Sequence, residues 1–333
     1  TMQNIQDIIE KIAAVVDTHK LSGGRYARWI TPGNNNRDTG INPYGCADAA
    51  NILYTIGRFP SDADERAEWV KALREMQDPE TGLFNEATHH PIHTTAHCMA
   101  ALELFDAQPL YPAKSLLYTA EPGRLEGLLD SLGWYENPWP QSHQGAGIYV
   151  AMNLSGDVNP DWNRRYFEWL WNEADPITGM WRRGETTRDG TKPLYMHMAG
   201  SFHYLFNHEY AHMPLRYPER MIDSCIEMFD RRELPSSFGK CCNFIEIDWI
   251  FCLTRASRQT PHRFYDIRER LEAFTKDYLE FWRSADYASD DTINDLHMLF
   301  GGVCALAELQ QTLRGELISD KPLRLVLDRR PFI

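Results

Sequence analysis

The side chains able to do chemistry fall at or near the starts of six segments rich in small and aromatic residues. They are Asp48, His97, His143 with Gln144, His197, Glu246 with Asp248, and Asp295 with His297. Carboxyls and imidazoles carry protons, and no nucleophile pattern accompanies them. There is no G-x-S-x-G elbow, and neither Gly23-Gly24 nor Gly301-Gly302 matches a phosphate-binding loop. What remains is acid–base work: hydrolysis of a glycosidic bond, its hydration, elimination or epimerisation. The candidate catalytic residues are Asp48, Asp248, Asp295, His197 and His297, with one of the three aspartates as proton donor.

Spacing sorts the candidates. Glu246 and Asp248 are two apart on a helix and point to different faces, so at most one faces a cavity, and Asp248 is favoured. Asp295 and His297 share that spacing, and Asp295, at the helix end, is the better acid. His97, His197 and His297 take equivalent places in alternate repeats. For substrate binding, Trp134, Trp139 and Trp181 offer faces on which a sugar stacks. Tyr44, His97, His143, Gln144 and Glu246 offer hydrogen bonds, and Arg182 offers a fork for a carboxylate such as that of a uronic acid. His89, His90, His93 and His97 hint at zinc, but that cluster lacks the H-E-x-x-H arrangement and any paired C-x-x-C. No metal and no cofactor is expected.

These groups need elements to hold them. The six segments begin near Tyr44, Thr94, His143, Met196, Cys241 and Ile293, with spacings of 50, 49, 53, 45 and 52 residues. A period near fifty reads as a structural repeat. Each segment is apolar nearly all round, as a buried helix is. Between them lie helices with one charged face, over residues 5–16, 62–76, 123–132, 161–173, 217–230 and 261–282. The pattern predicts six helical hairpins in one all-α domain over residues 1–333, with an extended tail at 320–333 packed on the outside. Connections into the inner helices often run to about 20 residues, longer than compact domains usually carry, so the working face is expected at the inner N-termini. The turns DPETGLF and DPITGMW suit Asp-Pro/Thr-Gly turn chemistry; alternatively they aim Phe84 and Trp181 over the rim as platforms for a ligand.

Net charge −13 disfavours nucleic acid or an anionic membrane as partner. No stretch approaches the roughly 18 apolar residues of a membrane span. Seven scattered cysteines do not form a disulfide framework and suit a reducing compartment. The first twenty residues read as an amphipathic helix and lack the marks of a signal peptide. A cytoplasmic protein acting on a small molecule or oligosaccharide is expected.

Six hairpins with polar residues at the inner N-termini resemble the (α/α)6 toroids of the six-hairpin glycosidases, including the unsaturated glucuronyl and rhamnogalacturonyl hydrolases. DPETGLFNE followed by HTTAHCMAALELF is also similar to a repeat of the squalene-cyclase and prenyltransferase toroids. The chain carries no Asp-x-Asp-Asp motif of the cyclases, and no catalytic residue is transferred from either group. The resemblance implies an (α/α)6 barrel and, first, a glycoside hydrolase acting on a small oligosaccharide. A sugar epimerase or polysaccharide lyase is the nearest variant. An isoprenoid-handling toroid and a non-catalytic helical-repeat scaffold are the rivals.

Overall fold

A computed structural model describes residues 2–333, and the chain is mostly α-helical. After a two-residue strand β1 (Gln3–Asn4) come α1 (Gln6–Thr18), strands β2 (Lys20–Ser22) and β3 (Arg25–Tyr26), and α2 (Pro43–Thr55). The helices then alternate between charged and apolar: α3 (Ala63–Arg74), α4 (Pro91–Leu104), α5 (Arg124–Ser131), α6 (Pro138–Leu154), α7 (Pro160–Glu173), α8 (Leu194–Ala211), α9 (Pro218–Asp230), α10 (Phe244–Ser257), α11 (Phe264–Ser284) and α12 (Leu296–Thr312). Strand β4 (Leu317–Ile318) and a single turn, α13 (Val326–Arg329), end the chain.

Local chemistry starts each helix where it begins. Pro43, Pro91 and Pro138 open α2, α4 and α6, where a missing N–H costs nothing. The Asn42 side chain accepts the N–H groups of Tyr44 and Gly45, and Asp62 and Asn159 cap α3 and α7 in the same way. Helix α1 buries one stripe, Ile8, Ile9, Ile12, Val15 and Val16, whereas α10 is buried at every position from Phe244 to Ala256.

The even-numbered helices α2 to α12 form the interior. Each packs against the next, and α12 packs against α2, so the order of neighbours is cyclic. Two glycines set how close neighbours come. A Cβ on Gly200 of α8 would lie 2.8 Å from the Pro138 carbonyl oxygen, and one on Gly147 of α6 would lie 3.0 Å from that of Ile92. No helix among the described residues is long and apolar enough to cross a membrane.

The tail differs from expectation. The strand lies earlier, with β4 parallel to β1, and residues after it turn inward instead of packing outside. The Arg324 N–H donates to Thr55 at the end of α2. Arg329 donates to the Glu103 carbonyl and to Asp106 beyond α4, and Asp328 pairs with Arg255 and Arg258 of α10 and its cap. Arg330, Phe332 and Ile333 are fully buried among the inner helices. The tail's polar groups thus meet carbonyls and charges at the C-terminal ends of these helices, while the Phe332 ring packs against His93, His203 and Phe206.

Candidate functional site

Between the N-terminal halves of the inner helices lies a cavity of about 90 Å³. Five histidines line it: His89 from the approach to α4, His93 on α4, His143 on α6, His203 on α8 and His297 on α12. Trp139, Asn243, Phe244, Asp248 and Met298 complete the wall, and Ile333 of the tail lines it too. Ring centroids are 4.3 Å apart for His93 and His143, 5.1 Å for His143 and His203, and 5.0 Å for His89 and His297. Phe332 sits beneath, 4.9 Å from the His93 ring.

All of these histidines but His143 make a hydrogen bond to protein through Nδ1. His97 Nε2 and His297 Nδ1 donate to the two oxygens of Asp48, at 2.6 and 2.8 Å, and Asn51 donates to Oδ1 at 3.1 Å. Burial pushes the Asp48 carboxyl up, but His97 and His297 outweigh it and hold the carboxyl ionised, well below the usual range. His297 is therefore protonated on Nδ1 and leaves Nε2 as its acceptor. His203 is fixed similarly. Ser142 spends its only proton on the Trp139 carbonyl, so its oxygen accepts from His203 Nδ1 at 3.0 Å. His93 Nδ1 meets the Tyr44 hydroxyl at 2.6 Å. Burial lowers the pKa of His93, His143 and His297 well below the ordinary value and that of His203 to about 3, which leaves the imidazoles neutral.

Asp248 is the opposite of Asp48. It is fully buried, neither carboxyl oxygen has a hydrogen-bond partner, and burial pushes its pKa well above the carboxylate range. A protonated, unpartnered carboxyl facing a cavity is poised to give up a proton.

Of the residues expected from sequence, Asp248, His297, His143 and Trp139 meet at the cavity. Tyr44 and His97 lie behind it, with the Tyr44 ring 4.5 Å from His297. Asp48 supports the site but is enclosed. Asp295 is not a free acid: Arg28 grips both its oxygens at 2.8 and 3.0 Å, while Oδ1 caps α12 through the His297 N–H. Glu246, on the other face of α10, accepts the Gly239 N–H. His197 is buried outside the cavity lining with both ring nitrogens unpartnered. Gln144 contacts Gln141 instead.

The aromatic platform fails for two tryptophans. Trp134 donates its indole N–H to Leu129 and stacks on Tyr204, and Trp181 donates to Leu170; both are core residues. Arg182 is committed to Glu173 and Asp130. Phe84 is fully buried, and the Asp-Pro/Thr-Gly segments are plain turns in which Asp78 and Asp175 accept backbone N–H groups. Sequence reasoning missed His203 and, as cavity residues, His89 and His93. Helix α8 starts at Leu194, so its cavity residue lies nearly three turns in, and proximity to the helix start pointed to His197 instead. The signal for His89 and His93 was present as the histidine cluster before α4.

No protein-family description, curated protein or solved structure matches this chain.

Proposed function

We propose that this chain is an (α/α)6-toroid enzyme that moves a proton on a small polar, carbohydrate-derived substrate, as an epimerase or a lyase does. The cyclic order of the six inner helices supports the toroid reading. The observation that carries the chemistry is the pairing, across one cavity, of a protonated Asp248 with His297, an imidazole backed by the Asp48 carboxylate. The carboxylate keeps Nε2 unprotonated and stabilises the imidazolium that forms when it takes a proton. His297 removes the proton from a carbon next to a carbonyl or carboxylate, and its electron pair moves toward that group. In epimerisation Asp248 returns a proton to the carbon. In elimination the C–O bond opposite breaks, and Asp248 protonates the departing oxygen.

Hydrolysis by two carboxyls, the first expectation from the resemblance, has less support. That chemistry needs two carboxyls flanking the bond, and Asp48 and Asp295 are both closed by donors. Five imidazoles in the wall give an apolar isoprenoid substrate little support, and a cavity with an unpartnered acid is more than a scaffold needs. Seven free thiols, six of them buried, support a reducing compartment such as the cytoplasm.

The test is solvent exchange. Uronic acids, aldoses and ketoses are incubated with the protein in deuterated water, and loss of the α-proton signal is followed by NMR. Exchange that falls about 10²-fold or more in Asp248→Asn and His297→Gln supports the reading. Absence of exchange across the panel, or full exchange in both variants, overturns it.

A further inference from the structure

We propose that His93, His143 and His203 form a binding site for a divalent first-row transition metal. Three consecutive inner helices, α4, α6 and α8, each supply one imidazole, and the three ligand atoms lie within 4.8 Å of one another. Nitrogens about 2.0–2.1 Å from a common tetrahedral ion stand about 3.4 Å apart. Side-chain adjustment of about an ångström closes the site.

The surroundings are those of ligands. A metal-bound histidine ordinarily donates its second ring N–H to a fixed acceptor, which sets the tautomer and aims the other nitrogen. His203 does so to Ser142, and His93 has the Tyr44 hydroxyl at the same atom. Among the described residues His143 makes no hydrogen bond to protein. Asp248 supplies a separate pointer: a fully buried carboxyl with two unpartnered oxygens on the same cavity, placed to hydrogen-bond a water or substrate oxygen in the fourth position. The cavity's roughly 90 Å³ suits an ion with a water or with the one oxygen group of a substrate that reaches it, and is below the range of pockets that enclose a whole drug-sized ligand.

Two other trios of ligating residues lie close by, and neither competes. In Asp48, His97 and His297 the short contacts are hydrogen bonds already occupied by protons. The trio of His89, His93 and His297 shares His93, and His89 Nδ1 is engaged by Thr88. Imidazole ligands suit zinc, copper, iron and nickel rather than magnesium or calcium. The ion's part in the reaction rests on the proton-transfer reading above: it would polarise the carbonyl or carboxylate beside the carbon that loses its proton.

The full chain, stripped with chelator, is titrated with zinc by calorimetry and with cobalt while visible d–d bands are recorded. The expected result is one tightly bound equivalent and a low-coordinate cobalt spectrum. Affinity should fall about 100-fold or more in His143→Ala and about 10-fold in Ser142→Ala, which leaves every ligand in place. His197→Gln should bind as the native chain does. His143, half-buried and without protein hydrogen bonds, is a substitution the fold tolerates, and circular dichroism verifies this. No binding, or binding equal in native and His143→Ala protein, overturns the site. Metal binding without α-proton exchange retains the site and rejects the reaction; exchange that survives complete chelation retains the reaction and rejects the ion's part in it, while the titration alone decides the site.

Discussion

At the scale of single residues, two aspartates of the same burial have opposite fates because of what surrounds them. Asp48 accepts three hydrogen bonds and is ionised, and Asp248 accepts none and is protonated. Breaking a buried charged network leaves donors stranded, so Asp48→Asn should cost about 3–5 kcal/mol in chemical denaturation. Asp248→Asn replaces one neutral, unpartnered group by another and should change stability by less than about 1 kcal/mol while abolishing exchange. Equal losses in both would mean that Asp248 is a structural residue. Glu246 gives a pH signature. Burial pushes its pKa from 4.5 up to about 7, partly opposed by the Gly239 N–H. The folded state therefore holds a proton that the unfolded chain releases near pH 4.5. Its contribution to stability is fully present below that value and is lost as pH rises to about 7, a decline of up to about 3 kcal/mol. Glu246→Gln, whose amide oxygen still accepts the Gly239 N–H, should flatten that stretch of the stability–pH curve.

At the scale of elements, the tail from Leu323 to Ile333 acts as the floor of the site. Buried Arg330 and Phe332 lie under Phe300 and His93, and the tail's hydrogen bonds tie the C-terminal ends of α2, α4 and α10 together. Removing a buried aromatic leaves a void beneath the histidines, so Phe332→Ala should cost about 3–5 kcal/mol. It should also weaken metal binding by loosening His93. A change under about 1 kcal/mol would show that the tail merely rests on the ring. In sequence the tail reads as Lys-Pro followed by Leu and Arg at mixed spacing. No period distinguishes a strand on the surface from a buried segment, because the partner surfaces come from other helices, α2, α4 and α10 among them, and not from the tail's own neighbours in the chain.

At the scale of the whole molecule, the cyclic contact of six helices brings residues from 89 to 333 to one cavity. Close approach depends on bare backbone at the contacts. Gly200→Ala drives a methyl to 2.8 Å from the Pro138 carbonyl and should force α6 and α8 apart, costing about 1–3 kcal/mol. It should also weaken the site that His143 and His203 share. Gly127 in α5 is exposed with nothing within 4 Å of an added Cβ, and there the same substitution should stabilise by about 0.5–1 kcal/mol. Thermal unfolding of the two variants side by side checks both signs.

The sequence by itself determined the helical elements and their order, because periodicity, Pro starts, Asn and Asp caps and all-round apolarity are local properties carried within ten or twenty residues. It also required that at most one of Glu246 and Asp248 look inward, since residues two apart on a helix point to different faces. Only the tertiary structure decided which polar groups are free. Asp295 is silenced by Arg28, 267 residues away in the chain, Trp134 and Trp181 are taken into the core, and His203 is brought level with His93 and His143 by the relative stagger of three helices. Stagger and pairing are set by packing between distant segments, and no local spacing encodes them.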